Sequence, residues 1–264
     1  MKQRVITAIV ALIIFIPIII AGGGWIELAA AVLAVVAMHE FYTMKYKENR
    51  RYWEEGLAIL ACLSLVLPID RWWSQGPSSW MLYYLFVIVL MAMTVFDKKD
   101  FNIDQLGFPV FTSLYVGMGF HYFVVARFNS LVVLLFALFI VWSTDIGAYM
   151  IGRQIGRHKL APNVSPNKTI EGAIGGIVCA VIVTLLYMWK FQHYFPYSTV
   201  VMVILSIFFS IAGQLGDLVE SAYKRYFGVK DSGKILPGHG GILDRFDSLL
   251  FVFPVMYLLG IFAM

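Results

Sequence analysis

Charge is scarce in this chain: Asp, Glu, Lys and Arg make up 14% of its 264 residues. A soluble domain carries about 25% charged residues, so this chain has too little charge to cover itself against water. That excludes a soluble globular enzyme and a disordered regulator. Cysteine is scarcer still. Cys62 and Cys179 each sit inside an apolar run, which excludes a disulfide-stapled secreted module and gives no sign of a zinc site or redox role. Lys/Arg runs interleaved with aromatics are also missing, so the net charge of +4 does not point to nucleic acid. What the chain has is oil: 60% of its residues are hydrophobic. The sequence predicts an all-α, polytopic integral membrane bundle forming one membrane-embedded domain over residues 1–264.

Crossing a hydrocarbon layer takes about 17–25 mostly apolar residues in a helix. Nine stretches qualify: Val5 to Ala21, Trp25 to Tyr42, Gly56 to Ile69, Trp80 to Phe96, Leu106 to Ala126, Leu131 to Met150, Gly172 to Phe191, Tyr197 to Leu215 and Ser248 to Met264. The third is short. The first follows Lys2 and Arg4 as a signal peptide would, but it is long for one and lacks a good A-x-A site, so a retained helix is expected. With nine spans, seventeen of the 20 Lys and Arg residues fall on the side of the N-terminus, against Arg71, Arg127 and Lys190 on the other. Basic residues mark the cytoplasmic face, so the N-terminus is predicted to be cytoplasmic.

Two cytoplasmic segments, residues 142–172 and 213–247, hold most of the polar chemistry. Each begins inside an apolar helix, which puts Asp145 and Asp217 near the membrane boundary. An acid there suggests a protein-lined polar cavity, the plainer reading being a carboxylate that reaches the headgroups. If the eighth helix continues past Gly216, then Asp217, Ser221 and Lys224 share one face at i, i+4 and i+7, flanked by Glu220 and Arg225. Such a face suits a metal-bound phosphate, or it is an ordinary solvated face.

Farther on, Pro237, Gly238, Gly240 and Gly241 surround His239 and lead to Asp244, Arg245 and Asp247. Glycines let amides approach an anion, and two carboxylates three residues apart can hold a hard cation. Alternatively, Asp244 is the N-cap of the last helix and Asp247 lies in its first turn. In the first segment, Ser165, Lys168 and their polar neighbours precede Gly172, Gly175 and Gly176. That is either an anion-attracting helix start or a capped turn with glycines for close helix packing. Two motif matches fail. Residues 228–235 nearly spell a Walker A loop, but Ile235 stands at the Ser/Thr position with no strand before it. The sequons at Asn163 and Asn167 fall on the cytoplasmic side.

From Ser221 to Asp247 the sequence resembles the signature of CDP-diacylglycerol synthases, also called phosphatidate cytidylyltransferases. The matching residues are Ser221, Lys224, Arg225, Lys230, Asp231, His239, Gly240, Gly241, Asp244, Arg245 and Asp247, with Tyr223 departing from the usual aliphatic or Phe. Asp145, Gly147, Ala148, Tyr149 and residues 165–172 are similar to the family as well. The resemblance implies cytidylyl transfer from CTP to phosphatidic acid, giving CDP-diacylglycerol and pyrophosphate, with Mg²⁺ and room for a second cation. It implies a homodimer in the bilayer of a bacterial cytoplasmic (inner) membrane. Carried onto this chain, it makes Asp217 and Asp244 the metal centre, with Asp247 and Asp231 as further ligands. Lys224 and Arg225 join the two acids in catalysis. Ser165, Lys168, Ser221, Lys230, His239, Gly240, Gly241 and Arg245 bind substrate. Two other functions compete with this one: an ion transporter coupled through Asp145 and Asp217, and a noncatalytic scaffold on anionic lipid. Neither needs so much phosphate and metal chemistry in one loop.

Overall fold

The computed structural model describes residues 2–47, 51–97 and 101–262, the side chains of residues 2–5 and 8 excepted. Of the basic residues that orient the chain, Arg50, Lys98 and Lys99 and the side chains of Lys2 and Arg4 lie outside the description, as does Met264 at the end of the expected ninth span. The chain forms two compact units, Met1–Val124 with Asp231–Leu243, and Val125–Lys230 with Asp244–Met264.

The first unit holds α1 (Lys2–Ala21), α2 (Gly23–Tyr46), α3 (Tyr52–Val66), the single turn α4 (Ile69–Trp72), α5 (Ser79–Phe96) and most of α6 (Ile103–Asn129). Lipid offers the backbone no hydrogen bonds, so long apolar runs satisfy their amides internally as helices. Four glutamates are nevertheless buried on α2 and α3: Glu27, Glu40, Glu54 and Glu55. Each has partners. Glu27 Oε1 accepts from Arg71 Nη1 at 2.8 Å, Glu55 Oε1 lies 2.6 Å from His39 Nδ1, and Glu54 Oε2 accepts from Tyr46 Oη at 2.6 Å. Glu40 is bound by the loop Asp231–Leu243 of the same unit.

The second unit holds α7 (Leu131–Ile155), a β-hairpin of β1 (Lys159–Ala161) and β2 (Ser165–Thr169), α8 (Ile170–Phe191), α9 (Thr199–Tyr226) and α10 (Leu243–Leu258) from Asp244 onward. The hairpin, antiparallel with Lys159 opposite Thr169 and Ala161 opposite Ser165, departs from an all-helical expectation. A lone two-stranded ribbon is marginal in water, and side chains brace this one. Glu171 accepts from the backbone N–H groups of Arg157 and His158 at 3.1 and 3.2 Å. Arg225 Nε donates to the Val164 carbonyl at the hairpin turn, 3.2 Å away.

Six helices, α2, α5, α6, α7, α8 and α9, are long and apolar enough to cross a membrane. The chain is an integral membrane protein. Helices α1, α3 and α10 only overlap the other three expected runs: α3 ends at Val66 rather than Ile69, α10 starts at Leu243 and ends at Leu258, and both are short at 15 and 16 residues. The eighth expected span stops at Leu215 in the sequence reading, whereas its helix α9 continues to Tyr226.

Candidate active site

The site in the second unit rests on close packing of α7 against α8. A Cβ on Gly176 would lie 2.8 Å from the Thr144 carbonyl oxygen, and one on Gly172 would lie 2.7 Å from that of Ala148. No side chain fits there, so these glycines serve helix approach rather than anion contact. The Thr169 hydroxyl accepts from Gly172 N at 3.1 Å and caps α8, which places Lys168 one residue before the cap. Gly216 does the same for α9 and α10: a Cβ there would lie 2.6 Å from the Asp247 carbonyl oxygen. That approach brings Asp217 and Asp247 near each other.

A cavity of about 470 Å³ opens among α7, the hairpin, α8 and α9, lined by Asp145, Tyr149, Arg153, Lys168, Gln214 and Asp217 among others. Its size is that of a small-molecule site. Lys168 Nζ lies 2.5 Å from Asp217 Oδ2, and Ser221 Oγ donates to Asp217 Oδ1 at 3.3 Å. Asp145 and Asp217 repel one another, as do Asp217 and Asp247, with Lys168 and Arg245 offsetting the charge on Asp145. Three acids and two bases from distant parts of the chain thus act on one another.

Two turns along α9 from Asp217, Lys224 Nζ bridges Glu220 Oε2 and Asp244 Oδ1, each at 2.6 Å. Glu220 is fully buried and its Oε1 has no hydrogen-bond partner. The shared face of Asp217, Ser221 and Lys224 therefore forms as the spacing predicts. Asp244, by contrast, is not the N-cap of the last helix. It lies inside the first turn of α10, and the amides at the helix start are taken by Glu40 instead. Arg225 spends Nε on Val164 and directs Nη1 to the Val229 carbonyl at 3.4 Å, contacts that brace the hairpin.

The remaining expected residues divide between the units. Ser165 stands in β2, half-buried, and Lys230 is exposed after α9. Asp231, His239, Gly240 and Gly241 belong to the loop of the first unit, where a bridge between Leu236 and Gly240 closes a tight turn. Gly238 and Gly240 have φ of 78° and 81°, a region that side chains rarely adopt. Sequence reasoning counted Arg153 only as a cytoplasmic base and gave Gln214 and Glu40 no role at the site. An acid in the apolar helix around Glu40 was the visible signal.

Among the described residues, no group of three or more His, Cys, Asp or Glu side chains is placed to hold a metal ion. Mg²⁺ needs no such cage, since it is commonly held by one or two carboxylates with substrate phosphates completing the shell. The hard oxygens and mutual repulsion of Asp217 and Asp247 fit a cation of that kind.

The model of the cytidylyltransferase family matches residues 2–262. The chain is 44% identical over 262 residues to a phosphatidate cytidylyltransferase of Staphylococcus haemolyticus, covering 98% of each chain. It is 46% identical over 262 residues to one of Staphylococcus epidermidis, again covering 98% of each. With one of Bacillus subtilis the identity is 41% over 268 residues, covering 100% of this chain and 99% of the relative.

Proposed function

The chain belongs to the cytidylyltransferase family, and from that membership we propose that it transfers a cytidylyl group from CTP to phosphatidic acid, yielding CDP-diacylglycerol and pyrophosphate. The observation that carries this reading is coverage: relatives named phosphatidate cytidylyltransferase match over 98% of both lengths, a span that includes both polar segments and the cavity.

An oxygen of the lipid phosphate attacks the α-phosphorus of CTP, a new P–O bond forms, and the bond to the β-phosphate bridging oxygen breaks. A phosphate monoester is largely ionised near neutrality, so no side chain has to remove its proton. The protein's work is to position two anions and offset their charge. Lys168 suits that work because its ammonium already rests against Asp217 on the cavity wall and can exchange a carboxylate for a phosphate. Arg153, lining the same cavity, supplies a second cation for a phosphate oxygen. Lys224 is held between Glu220 and Asp244, which fixes its charge at one place on α9. Asp217 and Asp244 would hold Mg²⁺, with Asp247 as a further candidate; bound there, the ion would neutralise charge on the leaving pyrophosphate.

The same reading includes nine spans with a cytoplasmic N-terminus in a bacterial inner membrane, and a homodimer. The seventeen-to-three distribution of bases supports the orientation.

Purified protein should release pyrophosphate and form a CTP-derived lipid when phosphatidic acid and Mg²⁺ are both supplied, and not when either is left out. Folded protein that moves an ion across proteoliposomes without turnover would instead favour the transporter. Lys234→Cys should be labelled from the cytoplasmic side alone. Labelling from outside intact cells would overturn the orientation.

A further inference from the structure

Glu40 lies on the apolar helix α2 and is 2% exposed, yet its carboxylate meets donors from a loop some two hundred residues away. Its Oε1 accepts from the backbone N–H of Ile242 at 2.8 Å, and its Oε2 accepts from Leu243 N at 2.9 Å and from Ser232 Oγ at 3.1 Å. The first amides of a helix have no partner within it and carry partial positive charge, so a carboxylate is well matched to them. Such a cap normally comes from the residue just before the helix. Here it comes from another helix, and so ties Ile242 and Leu243 to α2 within the first unit.

Two glycines make room for this carboxylate. A Cβ on Gly233 would lie 2.5 Å from Glu40 Oε1, and one on Gly241 would fall inside van der Waals contact with the same atom. Gly241, which the sequence reads as part of an anion cradle, also clears space for Glu40 in the structure. On the other side of the loop, the Thr7 hydroxyl of α1 donates to the Pro237 carbonyl at 3.1 Å. The loop is pinned to two helices of the first unit.

We propose that Glu40 is a positioning residue for cytidylyl transfer: by holding the amides of Ile242 and Leu243 it fixes the backbone from which Asp244 projects. The inference rests on the function proposed above, and it gives an activity role to a residue with no place in the phosphate or metal chemistry. Asp244 is the next residue after Leu243, and its Oδ1 is bound by Lys224. A shift of the helix start moves that carboxylate, and a displacement of about 1 Å at a reacting centre costs about 10²-fold in rate.

Glu40→Gln keeps the size of the side chain but turns an NH₂ toward amide donors. Turnover should fall about 10²-fold while KM for CTP stays within about twofold. Gly241→Ala, which drives a Cβ into the carboxylate, should reproduce that split. Ala37→Gly, a buried change on the same helix, serves as the stability control and should keep turnover despite a lower Tm. In an Asp244→Asn background, Glu40→Gln should add little further loss, because both act at one place. With an active parent protein, four results would overturn the proposal: near-normal turnover in Glu40→Gln, normal turnover in Gly241→Ala, fully multiplicative losses with Asp244→Asn, or an equal loss in Ala37→Gly at matched Tm. A parent protein that makes no lipid product would overturn the function and this inference together.

Discussion

Asp217 and Glu40 are both acids in long apolar helices, one in each unit. Asp217 keeps 31% of its side chain exposed on a cavity wall and meets a lysine ammonium and a serine hydroxyl. Glu40 is almost wholly buried and gives both oxygens to two backbone amides and a hydroxyl. A carboxylate held by an ammonium can trade its partner for a substrate phosphate or a cation. One held by main-chain amides cannot let go without unmaking the loop. The first kind of site is available for chemistry, and the second fixes where chemistry happens.

Lys224 combines both features, and removing its charge has the largest expected effect. It sits between Glu220 and Asp244 with 12% of its side chain exposed. Lys224→Met takes the ammonium away from the fully buried Glu220 and from Asp244, and breaking a buried pair costs about 3–5 kcal/mol. Thermal unfolding of the detergent-solubilised protein checks this. Adding Glu220→Gln to the same variant should recover part of the loss, because it removes the stranded charge. No recovery would mean that Lys224 contributes by packing alone.

Asp217→Asn comes next, and it should separate activity from stability. Removing one preorganised electrostatic group costs about 10²–10³-fold in rate. The side chain is partly exposed, so its ion pair with Lys168 adds little stability, and Tm should hardly move. A large drop in Tm with modest loss of turnover would place Asp217 with Glu40, as a structural acid.

The two units were not equally legible in the sequence. Helical spacing alone put Asp217, Ser221 and Lys224 on one face, because those contacts lie within two turns of one helix. Composition alone gave the membrane bundle. The hairpin at residues 159–169 was missed because its support, from Glu171 and Arg225, is tertiary and leaves no periodicity. Asp244 invites an N-cap reading because Asp is a favoured cap and the true one is distant. Arg225 and Gly241 sit in the motif that resembles the family signature, and in the structure they also brace a turn and clear space for Glu40. A motif marks which residues matter without saying which of them touch substrate.

Glycine substitutions sharpen the comparison at an intermediate size. Gly176→Ala sets a Cβ 2.8 Å from the Thr144 carbonyl, which rigid backbone cannot relieve. Such overpacking costs about 1–3 kcal/mol. Gly213→Ala meets Val252 Cγ2 at 3.4 Å, an ordinary contact, and should leave Tm nearly unchanged. Equal losses at the two positions would deny that α7 and α8 are held at glycine distance.

The smallest effect is expected at Thr169, where the second unit caps a helix locally, in contrast to the distant cap that Glu40 provides in the first. Its hydroxyl accepts from Gly172 N at 3.1 Å at the start of α8, directly after Lys168. Thr169→Ala removes that acceptor and should cost about 1 kcal/mol, or about 2–4 °C in Tm for a chain of this size. Thr169→Ser keeps the hydroxyl and discards the methyl, so its Tm should stay near that of the parent. A loosened helix start also frees the backbone that carries Lys168, so Thr169→Ala should raise KM for CTP by a few-fold, about 0.5–1 kcal/mol of binding, with kcat little changed. If Ser and Ala lower Tm equally, the methyl group's packing in this buried spot matters and the cap does not. If Ala lowers Tm but leaves KM untouched, the position of Lys168 is set by its ion pair with Asp217 and not by the helix that follows it.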